Sequence, residues 1–207
     1  MNKLIVLQHL EIEGPGLFYK IAIEKGFEVE IIRVDLEEEF TTNIGIGDIL
    51  LILGGPMGVK DIGNDLYPWL EKEVKFIKST LNQNIGIIGV CLGAQLLAYA
   101  AGGDVETLKS GFPLKPSPEI GWSEISSKSY NSNDEISCLL KKPMKVLHWH
   151  ADRIILPVKI ELLASSKICK EQLFKLRDKA YGLQFHVESD ENMIYEWIKK
   201  YKNFIIS

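Results

Sequence analysis

Ile85-Gly86-Ile87-Ile88-Gly89-Val90-Cys91-Leu92-Gly93-Ala94-Gln95-Leu96-Leu97-Ala98-Tyr99-Ala100-Ala101 is the stretch that decides the fold. Its first six residues form a continuous apolar run of the kind that makes a fully buried strand. From Ala94 to Ala101 the residues are strong helix formers, closed by Gly102-Gly103. The two elements meet at Cys91, with glycines two positions before and after it, which permits a tight strand-to-helix turn. In such an elbow a sulfur stands above the carboxyl edge of a sheet, beside helix N-terminal amides that favour a thiolate. Read locally, the same cysteine is equally a small buried hydrophobe.

Working outward, Lys3–Leu7, Phe27–Val34 and Ile49–Leu53 read as further strands. A helix from Leu17 to Glu24, stopped by Gly26, and another from Leu66 to Leu81 alternate with them. This order predicts an α/β fold with a mostly parallel central sheet flanked by helices, flavodoxin-like in type. Beyond Gly103 the texture changes to short strands at Val146–Trp149, Glu161–Ser165, Gln172–Leu176 and Tyr181–Phe185, predicting a smaller antiparallel portion. A last helix opens near Asp190, capped by Ser189 or Asp190. Its stripe of Met193, Ile194, Trp197, Ile198, Tyr201 and Phe204 reads as core packing. Glu37-Glu38-Glu39 reads as a solvated loop or helix end. With no internal repeat or long linker, residues 1–207 are expected to be one domain.

Composition narrows the function classes. The chain of 207 residues carries a formal net charge of −4 and no basic cluster, which disfavours nucleic-acid and anionic-membrane partners. No apolar run approaches the roughly 18 residues of a membrane span. Cys91, Cys138 and Cys169 are an odd set without metal-ligand spacing or a preceding signal region, which predicts a reducing, cytoplasmic setting.

Two further segments fall where an α/β sheet gathers its ligands. Gly54-Gly55-Pro56-Met57-Gly58 follows a strand and reads either as a tight turn or as backbone N–H groups aimed at a developing oxyanion. It lacks the Lys-Ser/Thr ending of a phosphate loop. In Gln184-Phe185-His186-Val187-Glu188, residues i and i+2 of an extended chain point the same way, so Glu188 can orient the His186 imidazole. A thiol nucleophile needs such a pair. His148 and His150 alternate on a strand with no carboxylate or thiol at suitable spacing, so no metal site is expected there.

Taken together these residues resemble the class I glutamine amidotransferase domain family, in a free-standing subgroup similar to the amidotransferase part of GMP synthetase. Gly54-Gly55-Pro56 resembles the oxyanion loop, Gly89-Val90-Cys91-Leu92-Gly93-Ala94-Gln95 the nucleophile elbow, His148-Trp149-His150-Ala151-Asp152 the substrate-side loop, and His186-Val187-Glu188 the end of a Cys-His-Glu triad. The resemblance implies that Cys91 attacks the γ-carboxamide of glutamine, with His186 as acid and base and Glu188 as orienter. Ammonia leaves and a γ-glutamyl thioester is hydrolysed.

It also implies an oxyanion hole from the backbone N–H groups of Gly55 and Leu92, and substrate contacts from Met57, Gln95, Trp149 and His150. No cofactor is implied. The implied partners are glutamine or another γ-glutamyl compound and a synthetase on another polypeptide, since no ATP-pyrophosphatase domain follows Ser207. Ala94 stands where many members have His, and Ala151 where the GMP-synthetase amidotransferase has Gly, so the amino-acid pocket departs from the family pattern. Two alternatives share the scaffold: a γ-glutamyl peptidase acting on peptides or conjugates, and a non-catalytic regulatory protein.

Overall fold

The computed structural model describes residues 1–36, 43–128, 134–158 and 160–206. Glu37-Glu38-Glu39 lies outside them. The parallel half of the molecule is built from β1 (Lys3–Gln8), β2 (Glu28–Arg33), β3 (Ile49–Ile52) and β4 (Gly86–Val90). Next come the short pieces β5 (Asp104–Thr107), β6 (Lys109–Ser110) and β7 (Lys115–Pro116), then the long β8 (Glu119–Ser127). The chain continues through β9 (Met144–His150), β10 (Asp152–Ile155), β11 (Glu161–Ser165), β12 (Leu173–Leu176) and β13 (Ala180–Leu183).

The main sheet runs β2-β1-β3-β4-β13-β12-β11-β8-β9. It is parallel from β2 to β13 and antiparallel from β13 to β9. The antiparallel portion expected from the C-terminal texture is therefore continuous with the parallel sheet, and β13 is the strand that joins them. The long strand β8 was not anticipated. Gly121 interrupts its apolar pattern at φ 94°, and Trp122 on it is exposed, so alternation gives little signal there.

Helices α1 (Gly16–Glu24), α2 (Trp69–Asn82) and α3 (Leu92–Ala100) cover the parallel half. The short α4 (Glu135–Leu139) lies at the antiparallel end, and α5 (Glu191–Lys200) and α6 (Lys202–Ile206) close the chain. Burial on both faces explains why the inner parallel strands β1, β3 and β4 are almost entirely apolar, while the edge strand β2 carries Glu28, Glu30 and Arg33. Leu4, Val6, Leu51 and Leu53 face α1, while Ile5, Leu7, Leu50, Ile52 and Ile87 face Leu70 and Ile77 of α2 and Leu96 and Leu97 of α3. Burying a side chain such as Leu50 or Ile77 contributes about 1.5–3 kcal/mol.

Helix α2 begins at Trp69 rather than Leu66, because Pro68 supplies a fixed φ at its entry. Helix α5 is capped by Asp190, whose carboxylate accepts the Met193 N–H at 3.1 Å, so the second of the two expected caps is the one used. Of its apolar stripe only Trp197 is buried in full, and Ile198 is exposed. No helix among the described residues is long and apolar enough to cross a membrane.

Candidate active site

Cys91 sits between β4 and α3 with φ 51° and ψ −108°, a conformation that a residue with a Cβ rarely adopts. The neighbouring chain holds it there. The Cys91 N–H donates to the Leu183 carbonyl at 2.8 Å, the Gly93 N–H to Leu53 O at 3.1 Å, and the Gln95 N–H to Cys91 O at 3.1 Å. The flanking glycines serve close approach rather than a left-handed turn. A Cβ on Gly93 would lie 2.1 Å from Ile52 O, and one on Gly89 would lie 2.5 Å from Gly93 O. The strain is carried by the cysteine itself, which points its sulfur at Trp149, its S–H donating to that carbonyl with Sγ and O 3.7 Å apart.

His186 is positioned by β9 rather than by strand alternation. β13 ends at Leu183, the chain bends, and His186 makes a single bridge to Leu147, donating its N–H to Leu147 O at 2.8 Å. The pairing with Glu188 forms across this bend. Nδ1–H donates to Oε1 at 2.6 Å, and the Val187 N–H fixes the other carboxylate oxygen at 2.9 Å. Nε2 has no hydrogen-bond partner among the described residues. Burial alone pulls the His186 pKa down, but the Glu188 carboxylate and the Cys91 sulfur outweigh it and hold the ring well above its ordinary value.

The Gly54-Gly55-Pro56 turn packs directly on the elbow. A Cβ on Gly55 would meet Met57 Sδ at 2.6 Å, Leu92 Cδ2 at 3.0 Å and His9 Cβ at 3.2 Å. Leu92 is the first residue of α3, so its N–H lacks an intrahelical acceptor. A buried pair fixes the turn from behind. His9 Nδ1–H donates to Gly54 O at 2.8 Å and Nε2–H to the Glu73 carboxylate at 3.0 and 3.1 Å. With acceptors on both nitrogens the ring is an imidazolium. Burial opposes that charge, but Glu73 and the Gly54 carbonyl raise the pKa despite it.

Gly55, Met57, Cys91, Leu92, Gln95, Trp149, His150 and His186 all line one cleft of about 240 Å³, with Glu188 behind His186. The Gln95 amide donates to Gln184 Oε1 at 3.3 Å. Ala151 also lines this cleft, whereas Ala94 is fully buried in the core.

Three features escaped the sequence reading. Glu13, in a loop after β1, enters the cleft beside Tyr201. The stripe read as core packing instead sends Trp197, Tyr201 and Phe204 to the cleft wall. The third is Glu119, which lies directly opposite His150 across the β8–β9 ladder and supplies the carboxylate that linear spacing concealed. Glu119 Oε2 is 3.2 Å from His150 Nε2 and 3.6 Å from His148 Nδ1, and the Gln172 amide donates to it at 2.7 Å. Ligand-capable atoms of Glu119, His148 and His150 lie within 4.8 Å of one another, so these are the side chains best placed for a metal among the described residues. The expectation that His148 and His150 lack a carboxylate partner is corrected accordingly.

Known proteins share this arrangement of chain. A sequence profile described as "Glutamine amidotransferase class-I" matches residues 18–197. The chain is similar to the glutamine amidotransferase-like protein YfeJ of Salmonella typhimurium, at 28% identity over 182 residues, covering 87% of this chain and 73% of that protein. It is also similar to a glutamine-hydrolyzing GMP synthase subunit of Methanobrevibacter smithii, at 33% identity over 140 residues, covering 67% of this chain and 63% of that one. The crystal structure of a glutamine amidotransferase from Thermotoga maritima superposes with a TM-score of 0.85 at 28% identity, covering 99% of this chain and 84% of the other.

Proposed function

Because the chain belongs to the class-I glutamine amidotransferase family, we propose that it hydrolyses the γ-carboxamide of glutamine through a γ-glutamyl thioester on Cys91. The observation that carries this reading is the His186 ring. It is locked to Glu188 at 2.6 Å through Nδ1, while Nε2, with no hydrogen-bond partner at good geometry among the described residues, is left to the strained elbow cysteine, whose sulfur helps raise the ring's pKa. We read residues 1–207 as one such catalytic unit.

The Cys91 thiolate attacks the γ-carbonyl carbon and forms the C–S bond while the carbonyl π electrons move to oxygen. The N–H groups of Gly55 and Leu92 hold that oxyanion. Removing one such donor costs about 3–4 kcal/mol in comparable sites. As the C–N bond breaks, His186 Nε2–H gives its proton to the departing nitrogen and ammonia leaves. His186 then takes a proton from water, whose oxygen displaces the thiolate and releases glutamate. Glu188 keeps Nδ1 protonated throughout, so that Nε2 is always the atom that exchanges protons. Met57, Gln95, Trp149 and His150 contact the glutamyl part of the substrate.

Similarity to a protein named as one subunit of a glutamine-hydrolyzing GMP synthase supports a synthetase partner that consumes the ammonia. Three free cysteines suit a reducing, cytoplasmic setting. The test is glutamine-dependent ammonia release, measured with the protein alone and with a candidate synthetase partner. Release that disappears in Cys91→Ala is expected. Intact glutamine under both conditions overturns the reading.

A further inference from the structure

The proposed hydrolysis gives Glu13 no task, yet Glu13 is built into the cleft. Its side chain is only 8% exposed. One carboxylate oxygen accepts the Tyr201 hydroxyl at 2.7 Å. The other, Oε2, has no hydrogen bond or ion pair among the described residues. It lies 3.0 Å from the point where a Cβ on Gly54 would stand, and that same point is 3.4 Å from His186 Cε1 and 3.6 Å from Cys91 Cβ. This oxygen opens on the cleft that Cys91 also lines, where a donor or cation on a ligand can pair with it. Burial correspondingly raises the Glu13 pKa above the ordinary carboxylate range.

The surroundings define what that partner looks like. Trp197 stands edge-on to the His186 ring at 4.9 Å, and its indole N–H donates to Ile12 O at 3.0 Å, tying α5 to the segment that carries Glu13. Trp197 and Phe204 lie 5.9 Å and 6.5 Å from Trp149, the residue assigned above to the glutamyl part, so the aromatic wall continues from that contact. A carboxylate beside π faces is the usual recipe for holding an organic cation.

The chemistry fixes which part of a substrate reaches this wall. The departing nitrogen must take its proton from His186, so the leaving group exits on the side where Glu13 and Trp197 meet that ring. Gln95, one turn into α3, and Met57, beside Leu92, line the same cleft and are assigned above to the glutamyl part.

We propose that Glu13, Tyr201, Trp197 and Phe204 form a leaving-group subsite that favours γ-glutamyl amides whose amine carries a second positive charge a few bonds from the scissile nitrogen. This rests on the thioester chemistry assigned to Cys91 and narrows its substrate class. The bonds made and broken are unchanged: the scissile nitrogen takes one proton from His186 and leaves as a neutral primary amine in place of ammonia, while its distal ammonium pairs with Glu13 Oε2.

The test compares the γ-glutamyl monoamide of 1,3-diaminopropane with that of n-butylamine, which has the same length and no charge, and with glutamine. Wild-type protein is expected to hydrolyse the charged amide with kcat/KM at least about tenfold above the neutral one, as one desolvated charge pair allows. In Glu13→Gln that ratio is expected to fall to about one. Equal or inverted preference in the wild type overturns the subsite. So does a Glu13→Gln variant that slows both amides in proportion, because Glu13 then serves the glutamyl part they share. Should Glu13→Gln not fold, the wild-type ratio decides by itself. If no γ-glutamyl compound, glutamine included, acylates Cys91, the hydrolytic reading falls and the subsite with it. Acylation without charge preference removes the subsite alone.

Discussion

Replacing His9 by Leu perturbs the group that holds the Gly54-Gly55-Pro56 turn in place, and the structure sets the size of the effect. Both side chains of the His9–Glu73 pair are fully buried, so His9→Leu strands the Glu73 carboxylate in the interior and takes the hydrogen bond from Gly54 O. Breaking one partner of such a pair costs about 3–5 kcal/mol. At about 2–4 °C per kcal/mol for a chain of this length, the melting temperature falls by roughly 6–20 °C.

The double variant His9→Leu/Glu73→Met removes the stranded charge and is expected to regain much of that loss. About 1–3 kcal/mol stays lost at the unpaired Gly54 carbonyl. The pH dependence follows from the raised His9 pKa. Its contribution is complete below the unfolded value of about 6.5 and disappears as pH rises through the higher folded value. The stability gap between wild type and the double variant therefore narrows on the alkaline side. Thermal and urea unfolding across that range provide the assay. A single variant that loses less than about 1 kcal/mol, or a double variant no more stable than the single, refutes the reasoning.

Glu188→Gln removes the acceptor that fixes the His186 tautomer and is expected to lower kcat by roughly three to four orders of magnitude, read from ammonia release with saturating glutamine. An unchanged rate counts against the triad. Gly93→Ala forces a Cβ to within 2.1 Å of Ile52 O, so the elbow must shift. A loss of about 1–3 kcal/mol or more is expected in urea unfolding, and neutrality contradicts the packing. In thiol labelling of the native protein, exposed Cys138 and the cleft residue Cys91 are expected to react, while Cys169 stays protected until unfolding. Burial pushes the Cys169 thiol up to about 12. Early labelling of Cys169 overturns that placement.

The parallel half of the fold was legible in the sequence because its inner strands β1, β3 and β4 are buried on both faces and read as apolar runs, while the edge strand β2 still shows Val29, Ile31 and Ile32 between its charges. The elbow was legible because the strand, cysteine and helix are contiguous. What could not be read were contacts made across the sheet. Glu119 and His150 are 31 positions apart yet opposite each other in the β8–β9 ladder, a register that linear spacing does not reveal. His186 and Glu188 do meet, but through a bend held by Leu147 rather than through strand alternation. The stripe on the last helix has the period of core packing. Only the tertiary position of α5 and α6 turns Trp197, Tyr201 and Phe204 toward the cleft, beside a Glu13 that no local pattern marks.

The central claim is that Cys91 carries the γ-glutamyl group between attack and hydrolysis. The direct measurement is rapid acid quenching during turnover with glutamine and the γ-glutamyl amides, followed by peptide mass spectrometry. A single γ-glutamyl adduct on the Cys91 peptide is predicted, lost in Cys91→Ser handled identically and discharged when the unquenched protein is left to turn over. Turnover without any adduct at Cys91, or with the adduct on another residue, contradicts the account.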